Sequence, residues 1–230
     1  VYDLHRYLVE SGRDERLYSF DAPIAEDEGT AEAGRLIIGK DHDWFLFENN
    51  LLRRLTFSGE GLCKQRASLA GDYLVWRAVA GTPGVYVTHL PTKETTCVFE
   101  DDVPPASLWA SGIHVAWVKE PDQTGGEYKV FHHRLDTHET RVVGTSQEDA
   151  WGQVTVEYPY LLWIKKVGPS WLLMRTHLED HTEKSLYESA LPMLGPRVSG
   201  KDVLLVTENC QGGGESRREV NVFDHDDGEF

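Results

Sequence analysis

The 230-residue chain carries 23 Lys and Arg against 38 Asp and Glu, a formal net charge of −15, so a phosphate backbone is repelled over most of its surface and nucleic acid is excluded as an expected partner. With 40% hydrophobic residues it can bury a substantial core, and its three scattered cysteines, Cys63, Cys97 and Cys210, make neither a disulfide framework nor a zinc site. No apolar run approaches the ~20 residues of a membrane helix and no charged start leads into an apolar stretch, so the chain reads as soluble, without a membrane partner or signal peptide, and its compartment stays unassigned.

In chain order, the segments predict short strands that recur with a period of roughly forty residues. Two weak copies come first: Arg6-Tyr-Leu-Val9 with Leu17-Tyr-Ser-Phe-Asp21, and Arg35-Leu-Ile-Ile38 with Trp44-Phe-Leu-Phe47, Asn49-Asn50 and Leu52-Arg-Arg-Leu-Thr56. A clear copy follows, with Ser68-Leu-Ala-Gly-Asp-Tyr-Leu-Val-Trp76, a Gly/Pro turn, Val85-Tyr-Val-Thr-His-Leu90, Pro91-Thr-Lys-Glu-Thr95 and Thr96-Cys-Val-Phe99. The next repeats that order in Ser111-Gly-Ile-His-Val-Ala-Trp117, Tyr128-Lys-Val-Phe-His-His-Arg-Leu135, Asp136-Thr-His-Glu-Thr140 and Arg141-Val-Val143. A third strong copy holds Tyr158-Pro-Tyr-Leu-Leu-Trp163, Trp171-Leu-Leu-Met-Arg-Thr-His-Leu178 and Ser185-Leu-Tyr187. The last, Val198 to Val206 and then Arg218 to Asp224, lacks the Trp and the final strand.

The anchors keep step: Trp76, Trp117 and Trp163 lie 41 and 46 residues apart, and Leu90, Leu135 and Leu178 lie 45 and 43 apart. Apolar residues alternate or run unbroken over short stretches between Gly, Pro, Asp and Asn clusters, which is a β period and not a helical one. Repeated short antiparallel sheets hide their edges and faces when set radially around an axis, so the expected fold is all-β, a β-propeller. The count is six blades, with five or seven left open, in units of approximately 1–29, 30–61, 62–103, 104–149, 150–191 and 192–230. Closing such a ring asks Val1-Tyr-Asp-Leu4 to pair near the last blade. The in-phase tryptophans are expected to pack between blades.

The stretch Ala70-Gly-Asp-Tyr-Leu-Val-Trp76 followed by Val85-Tyr-Val-Thr-His-Leu90-Pro-Thr-Lys-Glu-Thr95 resembles the TolB-type (WD40-like) propeller repeat. The resemblance covers Ser68 to Phe230, and the residues before Ser68 loosely. It departs from the family where the Gly of the Thr-Gly-Glu turn is replaced by Lys93 and His138, and the Asp of the Asp-Leu pair by His89, Arg134 and His177. It implies a fold whose members serve as interaction platforms, as parts of peptidases or as sugar-processing enzymes, and it transfers no catalytic residue.

Acidic clusters occupy the links between units: Glu26-Asp27-Glu28, Glu100-Asp101-Asp102 and Glu148-Asp149. In a propeller these links share one face, and a carboxylate rim there would attract a protein or peptide with a basic surface. The simpler reading is that they keep an acidic protein in solution. Trp109 and Trp151, out of phase with the packing tryptophans, are the candidate ligand-stacking residues, a glycan being the ligand. His89, His133 and His177 fall at or beside one repeat position, expected to be an exposed polar face. The sequence has no Gly-x-Ser-x-Gly elbow, phosphate loop or His-Glu-x-x-His, so no cofactor is expected. Calcium is a weaker reading, since acidic oxygens are plentiful but no twelve-residue loop is present.

The leading expectation is therefore a non-catalytic binding module presenting its acidic loop face. The alternative is a carbohydrate-binding or polysaccharide-degrading propeller, lyase or hydrolase, in which Tyr158, His114 and His132 stand beside a charge-neutralising group. A start at Val1 without Met also leaves open an excised piece of a longer chain.

Overall fold

The computed structural model describes residues 2–8, 11–20, 30–32, 34–40, 43–56, 63–121, 126–146, 154–199, 202–209 and 217–224. These residues form strands and turns and no helix, in six antiparallel sheets. Sheet one is the hairpin β1 (Tyr2–Leu8) and β2 (Arg13–Phe20). Sheet two is β3 (Thr30–Glu32), β4 (Arg35–Lys40), β5 (Asp43–Glu48) and β6 (Leu51–Arg54). Sheet three is β7 (Cys63–Ala70), β8 (Tyr73–Ala80), β9 (Gly84–His89) and β10 (Thr95–Glu100). Sheet four is β11 (Ser107–Ser111), β12 (His114–Lys119), β13 (Tyr128–Arg134) and β14 (Glu139–Ser146). Sheet five is β15 (Val154–Glu157), β16 (Tyr160–Val167), β17 (Ser170–His177) and β18 (Glu183–Ser189), and sheet six is β19 (Met193–Ser199), β20 (Asp202–Asn209) and β21 (Arg217–Asp224).

Each sheet is a meander in sequence order, and the first strands β3, β7, β11, β15 and β19 stand side by side on the inside. The core is layered between neighbouring sheets, because a sheet with a sheet on either side buries apolar residues on both faces. Ile37, Trp44 and Leu46 of sheet two meet Leu74 and Trp76 of sheet three; Val75, Val85 and Val87 meet Val115 and Trp117 of sheet four. Val118, Val130 and Val143 meet Val154 and Trp163 of sheet five, and Ile164 and Leu173 meet Val203 and Leu205 of sheet six. Trp76, Trp117 and Trp163 thus each face the preceding sheet, fully buried. Gly144 lets the Trp163 ring lie against its backbone: a Cβ there would stand 2.4 Å from ring atom Cζ2.

Among the described residues the N-terminal segment does not pair with the last sheet as expected: Tyr2 pairs with Phe20 in β2, and the hairpin's Leu4 and Leu17 pack on Ile38 and Phe47 of sheet two. Pairing with the adjoining strand β2 satisfies the hydrogen bonds of β1 locally, at less cost in chain entropy than reaching the other end of the chain.

The repeat extends to hydrogen bonds. Leu90, Leu135 and Leu178 donate their N–H groups to the carbonyls of Asp72, Ile113 and Pro159, at 2.8, 2.9 and 2.9 Å, tying the outer hairpin turn of each sheet to its inner one. In the outer turn Lys93, His138 and His181 all adopt left-handed backbone, φ 61°, 57° and 60°. A glycine would sit there without steric cost, which is why the resembling repeat carries one.

A one-residue offset corrects the reading of the histidines. Trp76 Nε1 donates to Thr88 Oγ1 (3.0 Å) and Trp163 Nε1 to Thr176 Oγ1 (3.1 Å). In each case the Thr lies two residues beyond the tryptophan's cross-strand partner, Tyr86 or Met174, and in sheet four that place, beyond Phe131, falls to His133. His133 is therefore on the inner face, 2% exposed, and not on the exposed polar face expected, because neighbouring strand residues point to opposite sides. Its Nδ1 bonds Thr140 Oγ1 at 2.9 Å, while its Nε2 and Trp117 Nε1 both lack a partner. His133→Thr is expected to restore the tryptophan's acceptor and raise stability by about 1 kcal/mol. The check is a higher urea midpoint at unchanged slope; a lower midpoint would mean that the imidazole's volume outweighs its orphaned nitrogen.

Candidate functional site

In a meander, alternate turns lie at alternate ends of the sheet. The β11–β12, β13–β14, β15–β16 and β17–β18 turns are therefore at one end, and between sheets four and five they enclose a cleft of about 760 Å³. Its walls carry His114, His132, Arg134, Arg141, Tyr158 and Glu179, among others.

His114 Nδ1 and His132 Nε2 share a hydrogen bond of 2.9 Å across the directly facing strands β12 and β13, with the rings near parallel. The His114 ring also stacks with Tyr158, centroids 5.0 Å apart and planes 17° off parallel. The two imidazoles are 6% and 4% exposed. Burial, followed by the charges of His114, His181, His133 and Arg134, pushes His132 down to about 4. Burial and then Arg134 lower His114 as well, with Asp136 opposing in part. Both imidazoles are neutral near pH 7, and a neutral imidazole offers one nitrogen as acceptor.

Around this pair stand two guanidinium groups, each oriented by its own carboxylate. Arg134 holds Asp136 through Nε (3.1 Å) and Nη2 (2.7 Å), which keeps the Asp136 carboxyl below its usual range. Arg141 donates through Nη2 to Glu139 (3.0 Å), and its Nη1 stands 3.0 Å from His181 Nε2. The exposed Tyr158 hydroxyl donates to Glu179, which raises the pKa of the phenol. A guanidinium has five donors, so each arginine keeps some for a ligand. The walls thus combine cations that suit a carboxylate or phosphate with imidazole, phenol and carboxylate groups that suit hydroxyls.

The acidic link that can be placed lies at the opposite end. Glu100 and Asp102 are exposed beside a second recess formed with the β8–β9 turn, but Asp101 is half-buried and paired with Lys119 at 2.7 Å. Burial raises the Asp101 pKa, and the Lys119 ammonium and the Val103 N–H outweigh it, so the carboxyl ends below its usual value. One of the three carboxylates is therefore neutralised by an ion pair. Trp109 lies in β11, half-buried, under the Arg197 guanidinium. Glu26, Asp27, Glu28, Glu148, Asp149 and Trp151 lie outside the described residues. Among the described residues no group of three or more His, Cys, Asp or Glu converges as a metal-binding set, and no helix is long and apolar enough to cross a membrane.

Tyr158, His114 and His132, weighed in the sequence for lyase chemistry, do meet in one site. Arg134, Arg141 and Glu179 were missed. The repeat held the signal: polar residues beside the first and third turns of adjacent units must share one end, and these residues all occupy such positions.

Meander sheets packed face to face, with their first strands innermost, define a β-propeller, here of the TolB-like kind. Putative TolB from Agrobacterium tumefaciens superimposes with a TM-score of 0.67 at 10% identity, over 99% of this chain and 86% of that one. TolB from Acinetobacter baumannii gives 0.62 at 14% identity, over 99% of this chain and 58% of the other. An oligogalacturonate lyase in complex with manganese gives 0.72 at 14% identity, over 98% and 68%. At these identities the likeness is one of fold. No family model matches the sequence, and no curated protein is significantly similar to it.

Proposed function

We propose that this propeller is a binding module for an acidic carbohydrate, seated in the cleft between sheets four and five. The observation that carries the reading is the pairing of Arg134 and Arg141, each pre-oriented, with the neutral His114–His132 couple in one recess. A sugar acid matches both halves of that chemistry, its carboxylate facing a guanidinium and its hydroxyls the imidazole, phenol and Glu179 groups. That a lyase named for oligogalacturonate shares the fold supports the choice of ligand class.

A catalytic reading is favoured by one further feature: His132 is neutral across the physiological range and stands beside a cation, as a base that removes a proton next to a carboxylate requires. Calorimetry with short uronic-acid oligosaccharides and their neutral counterparts tests both readings. Binding restricted to the acidic series, weakened at least tenfold in Arg134→Gln and Arg141→Gln, is expected. Appearance of an ultraviolet-absorbing unsaturated product would make the module an enzyme. Absence of binding to any acidic glycan overturns the proposal. Capture of a basic peptide, abolished when Glu100 and Asp102 are changed to Lys, would move the functional surface to the acidic end.

A further inference from the structure

The inner strands carry a second constellation, distinct from the cleft. Arg66 lies at a bulge of β7 between Gln65 and Ala67, in left-handed backbone (φ 42°), and its side chain is exposed. A non-glycine residue in that conformation is costly, and a bulge re-aims the side chain it carries. Two residues on, Ser68 locks β7 to β11: the Ala110 N–H donates to Ser68 Oγ and the Ser68 hydroxyl donates to the Ala110 carbonyl, both at 3.1 Å. This lays the Arg66 segment of β7 alongside the Trp109 segment of β11. From β19, Arg197 extends its guanidinium over the Trp109 ring, 4.9 Å from the centroid. It also makes a long hydrogen bond from Nη1 to the Pro196 carbonyl, 3.4 Å.

One arginine therefore covers the indole of β11 while a second stands on the adjoining first strand β7, and no carboxylate among the described residues pairs with either. Arg13, Arg35, Arg53, Arg54, Arg134, Arg141 and Arg218 each pair with a carboxylate, as a chain of net charge −15 favours, and Arg66 and Arg197 do not. Burial and then the charge of Arg66 lower the pKa of Arg197, as expected of like charges held near one another without a counterion. An arriving anion would relieve that repulsion and take the planar donors of both guanidinium groups.

We propose that Arg66 and Arg197, with Trp109 as the platform that orients Arg197, form an anion-binding site on the first strands of the sheets for a ligand bearing two or more carboxylate or phosphate groups. Pyrophosphate and citrate serve as probes, titrated at constant ionic strength by calorimetry and by tryptophan fluorescence. Saturable binding of at least one is expected, and the tighter of the two identifies the source as phosphate or carboxylate. Arg66→Gln and Arg197→Gln should each weaken it at least tenfold, Arg197→Lys less so, and Trp109→Phe should remove the fluorescence response while heat is still released. Arg134→Gln, in the cleft, should leave it unchanged. No saturable binding of either probe, equal binding by the Arg66→Gln/Arg197→Gln double variant, or loss on Arg134→Gln alone overturns the proposal. Because all these side chains are exposed or half-buried, thermal melts of the variants should match the parent's.

Discussion

Asp43→Ala is expected to cost 3–5 kcal/mol of folding stability, the range found when one partner of a buried charged cluster is removed. Asp43 opens β5 at 2% exposure and is the hub of a network that joins sheets two and three. Its Oδ1 accepts from Lys64 Nζ of β7 (3.1 Å) and from Thr56 Oγ1 (3.0 Å), and its Oδ2 accepts from Arg54. Thr56 Oγ1 in turn accepts the Trp44 N–H at 2.9 Å. The Lys64 ammonium stands 5.6 Å from the centroid of the buried Trp76 ring and its side chain is 3% exposed, so water cannot replace the lost carboxylate. Lys64→Met should cost much less, because Asp43 keeps Arg54 and Thr56 and the new side chain fits the apolar surroundings. Urea unfolding of the two variants makes the comparison; equal, small losses would show that the network is solvated in solution. Against a typical stability of ~5–15 kcal/mol, the Asp43 loss is large enough to lower the yield of folded protein.

Acid should weaken the protein in a window set by its buried imidazoles. His132 is pushed from 6.5 in the unfolded chain down to about 4 in the fold, and His114 and His133 are lowered as well, burial being the first cause in each. Between those values the unfolded chain binds more protons than the folded one, so the sign is definite. Stability is highest above pH 6.5, falls as the pH drops toward 4, and for His132 is level below that. The His132 contribution is on the order of 3 kcal/mol. Asp101, whose carboxyl is held below its usual 3.8, adds a loss only at still lower pH, so the two causes separate on the pH axis. The measurement is the urea midpoint from pH 7 to 4 for the parent and for His132→Gln, which should show a shallower decline. A flat parent profile between pH 6.5 and 4.5 would refute the assignment.

Period and alternation are enough to indicate an all-β chain of short antiparallel sheets, since a strand buried on both faces needs a particular run of apolar residues whatever packs against it. Trp76, Trp117 and Trp163 could be recognised as packing residues from their spacing alone, and the strands around them follow the expected order. The same reading went astray by one residue at His133, where similar spacing placed an imidazole on the solvent side that the pleat turns inward. For the site, His114, His132 and Tyr158 were legible as residue types suited to proton chemistry. Their convergence was not, because His114 and Tyr158 belong to different repeats whose distance depends on how two sheets are set side by side. Asp43 illustrates the same limit: nothing in its own segment marks it as buried, and Lys64, from the next sheet, is what makes its burial affordable.

The amino-acid sequence by itself determined the all-β repeat, the tryptophan layers and the excess of negative charge, because these depend on local pattern and on sums over residues. Tertiary structure alone decided that two histidines hydrogen-bond beside two oriented arginines, and that Arg197 of the last sheet covers the Trp109 indole of the fourth. Those arrangements arise where turns or inner strands of separate sheets come together, and the energy of a charge there is set by neighbours distant along the chain and by the water they exclude.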